Sequence, residues 1–190
     1  MLNGTSSAGK TTLASGLQAR FAEAGECWFV IGLDDMFAML PESWVTYRDH
    51  IGPHADEGIA FVLVDGAVER RVGPVARSVL AAYRGWVSAS ARAGLDVIVD
   101  EVLLDEADWR GWLDELDGLD VTWVRVDCDL AIVEARERAR GDRMVGVARG
   151  QVEVVHRYPT YAVRVDTGAS GPDEAADVVF AAISSTDTIT

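Results

Sequence analysis

Residues 4 to 11 read Gly-Thr-Ser-Ser-Ala-Gly-Lys-Thr, which satisfies the GxxxxGK[ST] spacing of a phosphate-binding loop. Gly4 and Gly9 permit backbone conformations whose amides point inward, and a helix that follows presents its positive N-terminus to the same anion. In this arrangement Lys10 reaches the β and γ phosphates of a nucleoside triphosphate and the Thr11 hydroxyl ligates Mg²⁺, while Thr5, Ser6, Ser7, Ala8 and Thr12 complete the cradle. The expected cofactors are therefore ATP and Mg²⁺. An amphipathic stretch, TTLASGLQARFAEAG, follows at once, and Lys10 is the only lysine of the chain.

Such a site also needs carboxylates at the carboxyl ends of neighbouring strands, where ligands gather in parallel α/β sheets. Two pairs qualify: VIGL runs into Asp34-Asp35, and DVIV runs into Asp100-Glu101. Asp34 is expected to be the general base that orients and deprotonates an acceptor hydroxyl. Asp100 is the expected partner of Mg²⁺ through water, with Glu101 open as the alternative, and Asp35 is read as a helix-capping or solvated carboxylate. Further on, Arg136, Arg140 and Arg143 share one helical face at i, i+4 and i+7, while Arg138 points elsewhere. Three guanidinium groups aimed together suit stabilisation of a transferring phosphoryl group; the competing reading is a solvated face paired with Glu134 and Glu137. Gly141 and Gly146 flank the turn as hinges of a lid over about 136–156. Trp44 and Tyr47, in the segment after Asp34, are candidates for the wall of an acceptor pocket. His50 and His54 have the spacing of a metal pair, but Gly52-Pro53 between them breaks a helix and no third ligand lies nearby.

The elements that must position these groups are legible as an alternation of short β-branched runs with longer stretches of helical period, the pattern of βαβ units. Strands are expected over Cys27 to Leu33, Leu95 to Val99, Val121 to Cys128 and Tyr161 to Val165. Helices are expected over Lys10 to Ala24, Pro74 to Arg92, Glu106 to Leu116, Leu130 to Arg140, Met144 to His156 and Asp173 to Ile183. An Asp-Gly turn between apolar runs, Ile59 to Val72, predicts a hairpin inserted at the edge of the sheet, near the acceptor. Only three residues precede Gly4, short for a central strand, so the natural start is expected upstream.

The 190 residues hold 17 Lys and Arg against 31 Asp and Glu, a formal charge of −14. Long-range repulsion then opposes nucleic acids and anionic membranes, and no apolar run approaches the length of a membrane span. Cys27 and Cys128 lie far apart in no CxxC pattern, which points to a reducing, cytoplasmic setting. The length fits a single domain, 1–190, with a frayed tail over 184–190.

The blocks LNGTSSAGKT, GLDDMFAMLP, GLDVIVDEVLL, EARERARGDR and VVHRYPTYAVRVDT resemble, in order and spacing, the chloramphenicol phosphotransferase family, P-loop kinases of the shikimate-kinase-like group, over nearly the whole chain. The resemblance implies an α/β fold with a five-stranded parallel sheet of order 2-3-1-4-5 flanked by helices. It implies ATP-dependent phosphorylation of a hydroxyl on a small molecule, first of all the primary hydroxyl of chloramphenicol, as antibiotic inactivation. Asp34 falls on the family's catalytic aspartate, Lys10 and Thr11 on its phosphate and Mg²⁺ groups, and Arg136, Arg140 and Arg143 on its lid arginines. The block ending at Thr167 leads into a loop near the adenine. The segment Glu42 to Val72, including ESWVTYRDHIGPH, is the least family-like. A nucleoside antibiotic, nucleoside, sugar or shikimate-type metabolite therefore stands as the alternative acceptor, and a regulatory ATPase as the alternative of another class.

Overall fold

The computed structural model describes residues 1–141 and 144–186. In chain order its elements are β1 (Leu2–Asn3), α1 (Lys10–Glu23), β2 (Trp28–Gly32), α2 (Leu33–Ala38), a 3-10 turn (Glu42–Trp44), β3 (Val45–Thr46), β4 (Ile59–Val64), β5 (Ala67–Val72), α3 (Pro74–Arg92), β6 (Asp96–Glu101), α4 (Glu106–Glu115), β7 (Val124–Asp127), α5 (Leu130–Arg140), α6 (Val147–Gln151), β8 (Val163–Asp166) and α7 (Pro172–Thr186). Five of the strands form one parallel sheet in the order β2-β6-β1-β7-β8. Counted along the chain, these five strands lie in the order 2-3-1-4-5, as expected. Among the described residues no helix is long and apolar enough to cross a membrane.

Both faces of the sheet are covered, because its strands are apolar on both sides. On one face Leu13, Leu17 and Phe21 of α1 and Ala176 and Val179 of α7 pack on Ile98, Val124 and Val126. On the other, Leu80, Tyr83 and Val87 of α3 and Trp112 of α4 pack on Ile31 and Val99. Side chains alternate along a strand, so this layering decides between the two acids that end β6. Asp100 shares the face of Ile98 and lies towards α1. Glu101 shares the face of Val99 and is buried against Trp112, whose indole N–H donates to its Oε2 at 2.9 Å; the Val102 amide donates to Oε1 at 2.7 Å.

Two expectations are corrected. The hairpin forms, with Asp65 and Gly66 both at positive φ in its turn, but it does not extend the main sheet. It pairs through β4 with β3 in a separate three-stranded sheet, and the amide of Val68 in β5 donates to Gly146 O at 2.9 Å, which fastens it to the segment before α6. The helix expected over Met144 to His156 is α-helical only over Val147–Gln151. Its start is set by Glu137, read from sequence as one partner of an exposed arginine face. Glu137 is instead fully buried, and its carboxylate accepts from the amides of Gly146 at 2.9 Å and Ala148 at 2.8 Å, filling donors that a helix start leaves unpaired. The last helix, α7, runs through Thr186; residues 187–190 of the expected tail lie outside the described residues.

Burial pushes the Glu101 carboxyl from 4.5 up to about 7. The folded state then holds this proton more tightly than the unfolded chain, so the stabilisation is complete below pH 4.5 and is lost as pH rises through 7. His156 acts in the opposite sense, since its burial lowers it from 6.5 to about 4 and its contribution grows across that window. The two nearly cancel until pH passes the ordinary histidine value. The buried Met1 amine, lowered from 8.0 to about 5, adds stability as pH rises through the same interval, so the Glu101 contribution is read against a variant that lacks it. Between about pH 6.5 and 8 the urea-unfolding free energy of the wild type is expected to fall by about 1 kcal/mol relative to that of Glu101→Gln. A wild-type profile that runs parallel to that of Glu101→Gln over this interval contradicts the assignment.

Candidate active site

The loop of residues 4–9 leaves β1, the central strand, and its base is fastened by Asn3. This fully buried side chain donates through Nδ2 to Val155 O at 2.6 Å and to the Tyr161 hydroxyl at 2.7 Å, and its Oδ1 accepts from the Leu103 amide at 2.9 Å. Gly4 lies so close to β7 that a Cβ there would stand 2.4 Å from Val126 O. Gly9, at φ 89°, and Ser7, at φ 59°, adopt left-handed backbone, which curls the loop before α1 begins at Lys10.

Lys10 is only 6% exposed. Its ammonium donates to Thr5 O at 2.9 Å and lies 3.5 Å from Asp100 Oδ1, while the Thr11 hydroxyl donates to Asp100 Oδ2 at 2.6 Å. One carboxylate thus joins the two side chains that the motif assigns to phosphate and metal. A desolvated cation needs such a partner, and β6 places it by register.

A cleft of about 730 Å³ opens above this knot. Ser6, Ser7, Gly9, Lys10, Thr11 and Thr12 line it, whereas Gly4, Thr5 and Ala8 lie buried in the loop beneath. Asp34 and Asp35 face the cleft from the first turn of α2, the short helix that follows β2 directly. Their charge complements the positive end of that helix. Arg136 crosses from α5 to the loop, donating from Nη1 to Ser7 O and Thr167 Oγ1, both at 3.3 Å, and from Nη2 to Thr167 O at 2.8 Å. Thr167 in turn donates to Ala8 O at 2.5 Å, so the chain after β8 closes on the phosphate loop. Arg140 lines the cleft one turn further along α5. Arg143 lies outside the described residues.

Of the two aromatic candidates, Tyr47 lines the cleft, its hydroxyl accepting from the Met144 amide at 3.2 Å and its ring meeting Phe61 edge-on at 5.4 Å. Trp44 does not line it; its ring packs at 5.2 Å on His54, and the chain around Gly58 presses against its backbone. Three contributors escaped the sequence reading. Gln151 of α6 accepts the Ser6 amide at 2.6 Å, Phe61 of β4 supplies an apolar wall, and Arg70 of β5 enters the cleft. Arg70 carried a signal, because Val68, Arg70 and Val72 share one face of the predicted hairpin.

The loop and its surroundings fit a nucleoside triphosphate with Mg²⁺. Gly4 and Gly9 keep the cradle open, the Ser7 hydroxyl is buried without a partner among the described residues, and Lys10, Thr11 and Asp100 form the donor set such a ligand needs.

Comparison with known proteins agrees with this architecture. The model of the family "Chloramphenicol phosphotransferase-like protein" matches residues 1–184. The chain is 33% identical over 184 residues to "Putative O-phosphotransferase Rv2636" of Mycobacterium tuberculosis (strain ATCC 25618 / H37Rv), covering 93% of this chain and 77% of that protein. In fold it is similar to the Mycobacterium tuberculosis APS kinase CysC, solved in complex with AMPPNP and APS, at 17% identity, TM-score 0.64, and 97% and 95% of the two chains. It is likewise similar to a gluconokinase from Sinorhizobium meliloti 1021, at 17% identity, TM-score 0.61, and 97% and 90% of the chains. The sheet is that of a P-loop kinase and the family match spans nearly every residue, so the chain belongs to the chloramphenicol phosphotransferase-like family and is a phosphotransferase acting on a small molecule.

Proposed function

We propose that this protein transfers the γ-phosphoryl group of ATP to a hydroxyl of a small, chloramphenicol-like antibiotic, and so inactivates it. The observation that supports this most is the meeting, in one cleft, of the Lys10, Thr11 and Asp100 knot with the Asp34 carboxylate of α2. Bound MgATP would supply the phosphoryl group and the metal charge that neutralises it. Lys10 would pair with the β and γ phosphates, Thr11 and Asp100 would hold Mg²⁺ directly and through water, and Thr167 would border the base.

Asp34 takes the proton from the acceptor hydroxyl as its oxygen bonds to phosphorus, which raises the nucleophilicity of that oxygen at the moment it is needed. Arg136 and Arg140, with Arg143 in the same series, supply positive charge beside the transferring group. Arg136 also bridges Ser7 and Thr167, so it couples α5 to both sides of the nucleotide site. Gly141 at φ 67° and Gly146 at φ 102° flank the turn between α5 and α6, which suits a lid over about 136–156 within a single domain. A lid that excludes water favours transfer to the acceptor over hydrolysis.

Asp34→Asn is expected to lower the acceptor-dependent rate by about 10²- to 10⁴-fold with ATP affinity retained, as read by ADP release and nucleotide titration; near-wild-type turnover contradicts the role of Asp34. Lys10→Met, which removes the chain's one lysine, is expected to lower the rate by at least about 10²-fold and to weaken ATP binding. A panel of chloramphenicol, nucleoside antibiotics, nucleosides, sugars and shikimate-type acids tests the acceptor. Chloramphenicol should give the highest ADP release, and cells making the protein should survive it; preference for another class replaces the acceptor but keeps the chemistry.

A further inference from the structure

Gln151 is the last residue of α6, and it is only 6% exposed although it lines the cleft. Its Oε1 accepts the Ser6 amide at 2.6 Å. A backbone N–H can only donate, so the carboxamide must turn its oxygen to Ser6 and its Nε2 away from it. That nitrogen makes no hydrogen bond to another described residue.

The peptide that Gln151 holds is also held from its other end. Ser6 N–H and Thr5 C=O belong to one peptide group, and the Thr5 oxygen accepts the Lys10 ammonium at 2.9 Å. In a trans peptide these two groups point in opposite directions. Lys10 and Gln151 therefore flank the same peptide, one on each side, and both line the cleft. Lys10 is the group that the motif assigns to the β and γ phosphates. Gln151 thus offers two N–H groups on the flank of the phosphate loop that Lys10 does not cover. The backbone leaves it little freedom there. Glu137 fixes the start of α6, and Gly150 lies so close to β5 that a Cβ would stand 2.3 Å from Val68 O. The Gln151 carbonyl accepts from the amides of Val154 at 3.0 Å and Val155 at 2.9 Å, and Val155 O in turn accepts Asn3 Nδ2 beneath the loop. A donor fixed in advance needs no reorganisation when negative charge builds up beside it.

We propose that Gln151 is a further catalytic residue: its Nε2 donates to an oxygen of the γ-phosphoryl group, while its Oε1 keys it to the Ser6 amide. The proposal rests on the reading that this cleft transfers the γ-phosphoryl group of ATP. In that transfer the acceptor oxygen bonds to phosphorus and the bond from phosphorus to the β–γ bridging oxygen breaks. ADP keeps the electron pair, and Asp34 takes the acceptor proton. Gln151 gains and loses no proton; it stabilises charge on the phosphoryl oxygens, and it distinguishes a triphosphate from a diphosphate.

MgADP and MgAMPPNP, which differ by the terminal phosphoryl group, test this with the full chain. In the wild type the side-chain amide N–H resonances of Gln151, assigned by their loss in Gln151→Glu, should move with MgAMPPNP away from their position with MgADP. Gln151→Glu keeps an oxygen for the Ser6 amide and replaces the donor with a second oxygen. Calorimetric titration should find its MgADP affinity within about threefold of wild type and its MgAMPPNP affinity about tenfold or more weaker, the loss of a charge-assisted hydrogen bond. Gln151→Ala, which adds no charge, should show the same selective loss, and MgADP affinity reports that each variant is folded. Amide resonances that ignore the terminal phosphoryl group, a Gln151→Glu that binds MgAMPPNP as the wild type does, equal loss of both nucleotides in both variants, or a wild type that binds neither overturns the proposal. A role confined to holding Ser6 gives the second of these results, because glutamate retains the acceptor. The Gln151 response without phosphoryl transfer to any hydroxyl would instead count against the phosphotransfer reading and leave the contact in place. Transfer with an unresponsive Gln151 would do the reverse.

Discussion

Lys10 carries the chain's one ammonium side chain into a position where little water reaches it. An ammonium stripped of solvent is stable only beside a compensating charge and hydrogen-bond acceptors. Asp100 and the carbonyl of Thr5 provide both, and the same Asp100 accepts the hydroxyl of Thr11. Much of the architecture follows from keeping this knot intact. β1 must lie between β6 and β7 so that the loop leaves the centre of the sheet, and β6 must pair in the register that turns Asp100, and not Glu101, towards α1. A slip of one residue would exchange the two acids. It would bury Asp100 against Trp112 and leave Lys10 facing the wrong side chain.

The same arrangement explains how an acidic protein can hold a polyanion. The excess of carboxylate is spread over the surface, while the cationic groups that matter are fixed at short range. Arg136 is held by three contacts that span the phosphate loop and Thr167, so its position owes more to packing and hydrogen bonds than to the overall field. Glu137, the next residue, faces the interior and fixes the start of α6. Adjacent residues on one helix thus divide two tasks: one reaches the ligand loop, and the other anchors the segment that follows.

The two halves of the cleft are built differently. The phosphate loop is one continuous motif, so its own residues are local in sequence. The half proposed for the acceptor is assembled from α2, the segment of Tyr47 and the β4–β5 hairpin, whose spatial relation depends on a second sheet and on the contact of β5 with Gly146. Side chains, rather than backbone, form its surface.

What the amino-acid sequence determined by itself was whatever is local: the phosphate loop, the alternation of strands and helices, the parallel order of the main sheet through family likeness, and the two acid pairs at strand ends. These are short-range consequences of spacing, turn chemistry and periodicity. Only the tertiary structure decided which member of Asp100-Glu101 meets Lys10, because a side chain's face depends on the layer its strand packs against. It also placed Trp44 on His54 and off the cleft wall, turned Glu137 inward, and lifted the hairpin from the main sheet into one of its own. Arg70 shows the reason most plainly. Its alternation with Val68 and Val72 marks an inward face, but what that face meets is set by elements distant in the chain, and no spacing within the hairpin contains that information.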